Sequence, residues 1–167
     1  MNTQKHNIYI VDDNAVKAGA LRKFLLNRFD NKVTISLYFN GSSCLRSMHN
    51  NVQLVILNYM GKNHENTTHG VEVLKMIKNR FPKTEVIMHS SNENVAVAVD
   101  AIQSGANNYV IKKDGSSIRI YEMIDKVIAQ PLRLLVAEFG VWKFCVIFLL
   151  IFILMGAAVA FTLNMTH

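Results

Sequence analysis

Apolar and polar positions fall in two rhythms along the first 130 residues. Short β-prone runs stand at Asn7–Val11, Lys32–Phe39, Leu54–Leu57, Glu85–His89 and Asn108–Ile111. After each run, apolar residues recur at the three-to-four spacing of one helix face. Ala18, Leu21, Phe24 and Leu25 mark the first helix, with Asn14 placed to cap it. Asn40-Gly41-Ser42 opens a short second helix that ends near His49. Val73, Leu74, Ile77 and Phe81 mark a third from Gly70 to Phe81-Pro82, and Val95, Ala98, Val99 and Ile102 a fourth, stopped by Gly105. Ile120, Ile124, Val127 and Ile128 share a face of a fifth, capped by Ser116 and ended by Pro131. Five βα units predict an α/β fold, a doubly wound parallel sheet with helices on both faces. The pattern leaves the strand order open. Gly61–His69 is polar and long for a strand-to-helix connection.

The rhythm changes at the C-terminus. Phe144–Leu163 holds a single polar residue, Thr162. Twenty residues at ~1.5 Å each reach about 30 Å, the thickness of a bilayer's hydrocarbon. One C-terminal transmembrane α-helix is therefore expected, flanked by Trp142 and Lys143 at the interface. The expected division is a soluble domain over 1–130, a juxtamembrane segment over 131–143, the span over 144–163 and a short tail over 164–167. Arg133 and Lys143 precede the span and no Lys or Arg follows it. That bias predicts a single pass through a cell inner membrane, with the domain cytoplasmic and the C-terminus on the far side. Gly156 and Ala160 form a small-xxx-small pair suited to helix packing.

Charge and cysteine content narrow the classes. Residues 1–130 hold 16 Lys+Arg and 11 Asp+Glu, a scattered excess with no basic run and no interleaved aromatics. This argues for a solvated surface and against a nucleic-acid face. Cys44 and Cys145 give no disulfide framework. His64, His69 and His89 follow no metal-ligand spacing and read as solvated loop histidines. No Gly-rich phosphate loop is present.

In an open α/β sheet, chemistry collects beyond the C-terminal ends of the strands. The residues there are Asp12 and Asp13 after the first strand, Asn58 after the third, Ser90 after the fourth and Lys112 after the fifth. This set, in this order, resembles the receiver domain of two-component response regulators. The match runs from about residue 7 to residue 129, and Gly105-Ala106-Asn107-Asn108-Tyr109-Val110-Ile111-Lys112 looks like the family's Gly-Ala-x-x-Tyr-x-x-Lys segment. The resemblance implies the flavodoxin-like (CheY-like) five-stranded sheet in the order 2-1-3-4-5. It implies an aspartate ending the third strand as phosphoryl acceptor, Mg²⁺ on the acidic residues, and the hydroxyl and lysine on the phosphoryl oxygens. It also implies that the Ser90 and Tyr109 positions move together on phosphorylation, and that partners bind the face of the fourth helix, fifth strand and fifth helix.

Asn58 departs from that pattern. An amide oxygen is a poor nucleophile and forms no stable acyl phosphate. The family's Met-Pro is also absent, since Met60 is followed by Gly61. The expectation is a degenerate pseudo-receiver, not an enzyme, with Asn58 at the acceptor position and Asp12, Asp13, Ser90 and Lys112 as the residual site. Lys112 is expected to pair with Asp12 or Asp13. No cofactor is required, though Asp12 and Asp13 could hold a weak Mg²⁺ ion. The expected role is a bacterial protein-interaction or regulatory subunit, with a membrane protein or complex and the lipid bilayer as partners and room for a homo-oligomer. Two alternatives stand beside it: a phospho-switch with altered acceptor chemistry, and a structural subunit whose transmembrane helix is its main contact.

Overall fold

Every β-prone run forms a strand, and a helix follows each. The structure, a computed structural model, describes residues 5–59, 70–138 and 146–156. The order is β1 (His6–Val11), α1 (Ala15–Phe29), β2 (Val33–Tyr38), α2 (Gly41–Ser47), β3 (Val52–Leu57), α3 (Gly70–Arg80), β4 (Glu85–Ser90), α4 (Val95–Gln103), β5 (Asn108–Ile111) and α5 (Ser116–Glu138). The strands form one sheet in the order β2-β1-β3-β4-β5, all pairs parallel. The doubly wound fold and the strand order expected from the resemblance are both present.

Alternation along the strands sends side chains to two layers. Tyr9, Val11, Val55, Leu57, Val86 and Met88 join Cys44, Val73, Leu74 and Ile77 in one core cluster. Ile8, Ile10, Leu54, Ile56 and Ile87 have the opposite parity and are equally buried. Each such side chain, once fully buried, contributes roughly 1.5–3 kcal/mol. Cys44 is buried, and burial pushes its thiol up to about 12. Two glycines are required by the packing. A Cβ on Gly41 would run into Val73, so α2 can lie close to α3. Gly105 has φ +104°, which lets the chain leave α4 and turn into β5.

The caps are local. Asn14 Oδ1 accepts from Lys17 N–H at 2.9 Å, and Asn40 Oδ1 from Ser43 N–H at 2.8 Å. Ser116 is not the expected cap. It is the first residue of α5, buried, with its Oγ 3.4 Å from His89 Nε2. Nor does Pro131 end that helix, which runs on to Glu138. The apolar stripe of α4 marks a helix without marking a buried face: Val95, Val99 and Ile102 are exposed, and only Ala101 is buried.

The chain divides into two units, Met1–Asp125 and Lys126–His167. In the second, residues 146–156 are helical and their apolar side chains are exposed. Among the described residues, no helix is long and apolar enough to cross a membrane. The expected span 144–163 is described only over 146–156; Trp142, Lys143, Cys145 and Ala160 lie outside the described residues, as do Met60, His64 and His69.

Candidate functional site

The parallel ladder carries on one residue past the strands at the C-terminal edge. Asp12 N–H donates to Tyr38 C=O at 3.0 Å, Asn58 N–H to Val11 C=O at 2.8 Å, and Lys112 N–H to Ser90 C=O at 2.7 Å. These bonds hold Asp12, Asn58 and Lys112 at one level, so their side chains can meet.

Asp12 is the hub. Its Oδ2 accepts from Lys112 Nζ at 2.6 Å, with the two side chains only 7% and 12% exposed. Its Oδ1 accepts from Asn14 N–H at 3.0 Å and from Asn58 Nδ2 at 3.3 Å. Asn58 Nδ2 also donates to Asp13 Oδ1 at 2.8 Å. A carboxylate only accepts, so the amide can bond both acids only with its nitrogen turned toward them. Two neighbouring carboxylates repel unless something positive or hydrogen-donating lies between them. Here Asn58 and Lys112 fill that role. The expected pairing of Lys112 with the acid pair is present, on Asp12.

This arrangement decides what the site can hold. The amide points a donor, not an oxygen ligand, at the space between the acids where the resemblance implies Mg²⁺. Both oxygens of Asp12 are already engaged. The donor set as arranged does not fit Mg²⁺. Among the described residues, no group of three His, Cys, Asp or Glu could hold a metal ion.

Ser90 and Tyr109 lie on either side of one loop residue. Ser90 Oγ accepts from Asn92 N–H at 3.0 Å, and Tyr109 OH donates to Asn92 C=O at 2.8 Å. Asn92 Oδ1 in turn accepts from Asn94 N–H at 2.9 Å, and Asn94 Oδ1 caps α4 through Ala96 N–H at 2.9 Å. The hydroxyl, the aromatic residue and the start of α4 are thus tied by one relay. Sequence reasoning missed Asn92 and Asn94. Their signal was Asn-x-Asn just ahead of an apolar run, a pair of successive caps.

His89 is a correction. It lies in β4, as the run Glu85–His89 predicts, with the parity of Ile87, but it is buried and not solvated. Burial, reinforced by the positive charges of Lys112 and Lys17, pulls its imidazole down to about 4. The folded state therefore holds it neutral, while the unfolded chain takes a proton near pH 6.5. The stability tied to the neutral form is complete above about pH 6.5 and is lost as pH falls toward 4. Between pH 7 and pH 5 this amounts to about 2 kcal/mol. Melting curves of the native chain should drop more steeply over that interval than those of His89→Gln. Parallel profiles would show that His89 is not the group responsible.

The family model of the response regulator receiver domain matches residues 8–125. Solved structures align over most of their length. The receiver domain of NtrX from Brucella abortus is 23% identical, with a TM-score of 0.63 over 72% of this chain and 97% of that one. A CheY-like response regulator receiver domain protein from Methanospirillum hungatei is 15% identical, with a TM-score of 0.63 over 78% and 99%. The BeF3-activated receiver domain of DrrB is 21% identical, with a TM-score of 0.61 over 75% and 98%. At these identities the likeness is one of fold. Among the curated proteins, none matches the chain. The family match takes in the acid pair, Asn58, Ser90, Tyr109 and Lys112, and by it the chain belongs to the response regulator receiver domain family.

Proposed function

We propose that this receiver domain is a pseudo-receiver: a binding module held in one state, with no phosphoryl acceptor and no catalytic step of its own. The observation that carries this reading is the Asn58 amide, which donates to both Asp12 and Asp13. The chain's own groups do there what a cation does between carboxylates, so the acid pair is balanced without an ion. The tie of Ser90 and Tyr109 to Asn92 supports the same reading, because the chain's own hydrogen bonds hold the loop ahead of α4.

The domain acts by docking. Val95, Val99 and Ile102 on α4 and Ile118 on α5 are exposed apolar residues in the region where the family binds partners. The partner is a membrane protein or complex. The apolar run over 144–163, with Thr162 as its only polar residue, is a membrane anchor that keeps the domain on the cytoplasmic side of a bacterial inner membrane. Gly156 and Ala160 give that anchor a surface for a neighbouring helix.

Membrane fractionation combined with capture tests this reading. The full chain should sediment with membranes and resist alkaline extraction, and a chain ending at Gln130 should not. Capture of the partner should be the same with or without acetyl phosphate and Mg²⁺. A full chain released by alkali would remove the anchor. Capture that depends on acetyl phosphate would favour a phospho-switch with altered chemistry.

A further inference from the structure

A cavity of about 470 Å³ opens between α1 and the start of α5, over β4. Its volume is within the range of small-molecule sites. One wall is cationic: Lys17 from α1, and Lys112 and Lys113 from the β5–α5 connection. The Lys112 charge is matched by Asp12, which also lines the cavity. Lys17 and Lys113 are exposed and have no carboxylate partner among the described residues. Two net positive charges therefore face the opening. The hydroxyls of Ser116 and Ser117 stand beside them at the first turn of α5, where the helix dipole adds a positive contribution.

The α1 face that carries Lys17 continues as an apolar wall. Ala20, Leu21 and Phe24 from α1 line it. The floor holds His89, which is neutral and sits beside Ser116. A free inorganic ion would use only the lysine side. The two walls together suit a ligand with an anionic head and a small apolar body.

From these walls we infer that the α1/α5 cavity binds a phosphate monoester, its phosphoryl group on Lys17, Lys113 and the α5 hydroxyls and its apolar portion on Leu21 and Phe24. This site adjoins the residual receiver site and shares Asp12 and Lys112 with it. The acceptor position belongs to Asn58, which does not line the cavity. Ligand binding here does not depend on the pseudo-receiver reading. Its natural source is either a soluble metabolite or a lipid headgroup, which share the phosphoryl chemistry.

The test uses the full chain in a mild non-ionic detergent, with phenyl phosphate, inorganic phosphate and phenol as probes in titration calorimetry. Phenyl phosphate should bind saturably and more tightly than inorganic phosphate, and phenol should not bind. The double variant Lys17→Gln/Lys113→Gln should lose about tenfold or more in affinity for phenyl phosphate. Both lysines are exposed, so its melting temperature should stay close to that of the native chain. Vesicles of phosphatidic acid, a lipid whose headgroup is a phosphate monoester, in phosphatidylcholine then separate the sources. Displacement of phenyl phosphate by these vesicles and not by phosphatidylcholine alone assigns the group to a lipid; no displacement assigns it to a soluble monoester. Absence of saturable phenyl phosphate binding, or binding that survives in the double variant, would overturn the inference.

Discussion

Replacing Lys112 with Ala should destabilise the domain by about 3 kcal/mol, near the lower end of what is lost when one member of a buried ion pair is removed. The ammonium is 2.6 Å from Asp12 Oδ2, and both side chains are largely hidden from water. Without it, a buried carboxylate faces a second acid with only hydrogen bonds to offset its charge. The loss stays near the lower end because Asn14 N–H and the Asn58 amide still reach Asp12 Oδ1. A domain of this size has roughly 5–15 kcal/mol of total stability, so the melting temperature should fall by about 10 °C. Lys113→Ala, at an exposed neighbour, should change it little. The double variant Asp12→Asn/Lys112→Met should recover part of the loss, because it leaves no unpaired charge. An unchanged melting temperature for Lys112→Ala would mean that water, and not the lysine, solvates Asp12.

Changing Asn58 to Asp should act in the opposite way on the two sides of the site's chemistry. In Mg²⁺-free buffer it should destabilise the domain by about 2 kcal/mol. The substitution removes the donor now 2.8 Å from Asp13 and 3.3 Å from Asp12 and puts a third carboxylate in its place. Added Mg²⁺ should then restore stability, by about 2.7 kcal/mol at a hundredfold excess over its dissociation constant. The native chain should show no such response, because its amide turns a donor toward the ion's position. Thermal melts with and without Mg²⁺ check both statements. A native chain stabilised by Mg²⁺ as strongly as the variant would show that Asn58 turns its oxygen inward. The introduced carboxylate also supplies the missing nucleophile. If acetyl phosphate modifies the variant, the remainder of the site is competent; if it does not, the departure at Met60–His69 accounts for the difference.

The parts of this fold that were legible in the sequence are those that obey a short period. Leu54–Leu57 is β-prone and too short for a helix, and the residue ending it was fixed by where the apolar run stops. Asp12, Asn58 and Lys112 were placed together because a parallel sheet brings its strand ends to one edge. Periodicity falls short where a residue's surroundings come from distant segments. His89 looked solvated because it is polar and ends its apolar run, yet its parity with Ile87 turns it into the layer under α1 and α5. The α4 stripe gave the helix correctly, but spacing does not say whether a stripe is covered, and Val95, Val99 and Ile102 are not. The Asn92–Asn94 relay depends on Tyr109, 17 positions from Asn92, which no local pattern could connect to it. Pro131 marked an end that α5 passes through.

The central claim is that the Asn58 amide has replaced both the acceptor and the ion of a receiver site. The most direct test is intact mass spectrometry of the native full chain after incubation with acetyl phosphate and Mg²⁺, beside Asn58→Asp treated in the same way. The account predicts no stable phosphoryl adduct on the native chain; a stable adduct there would contradict it.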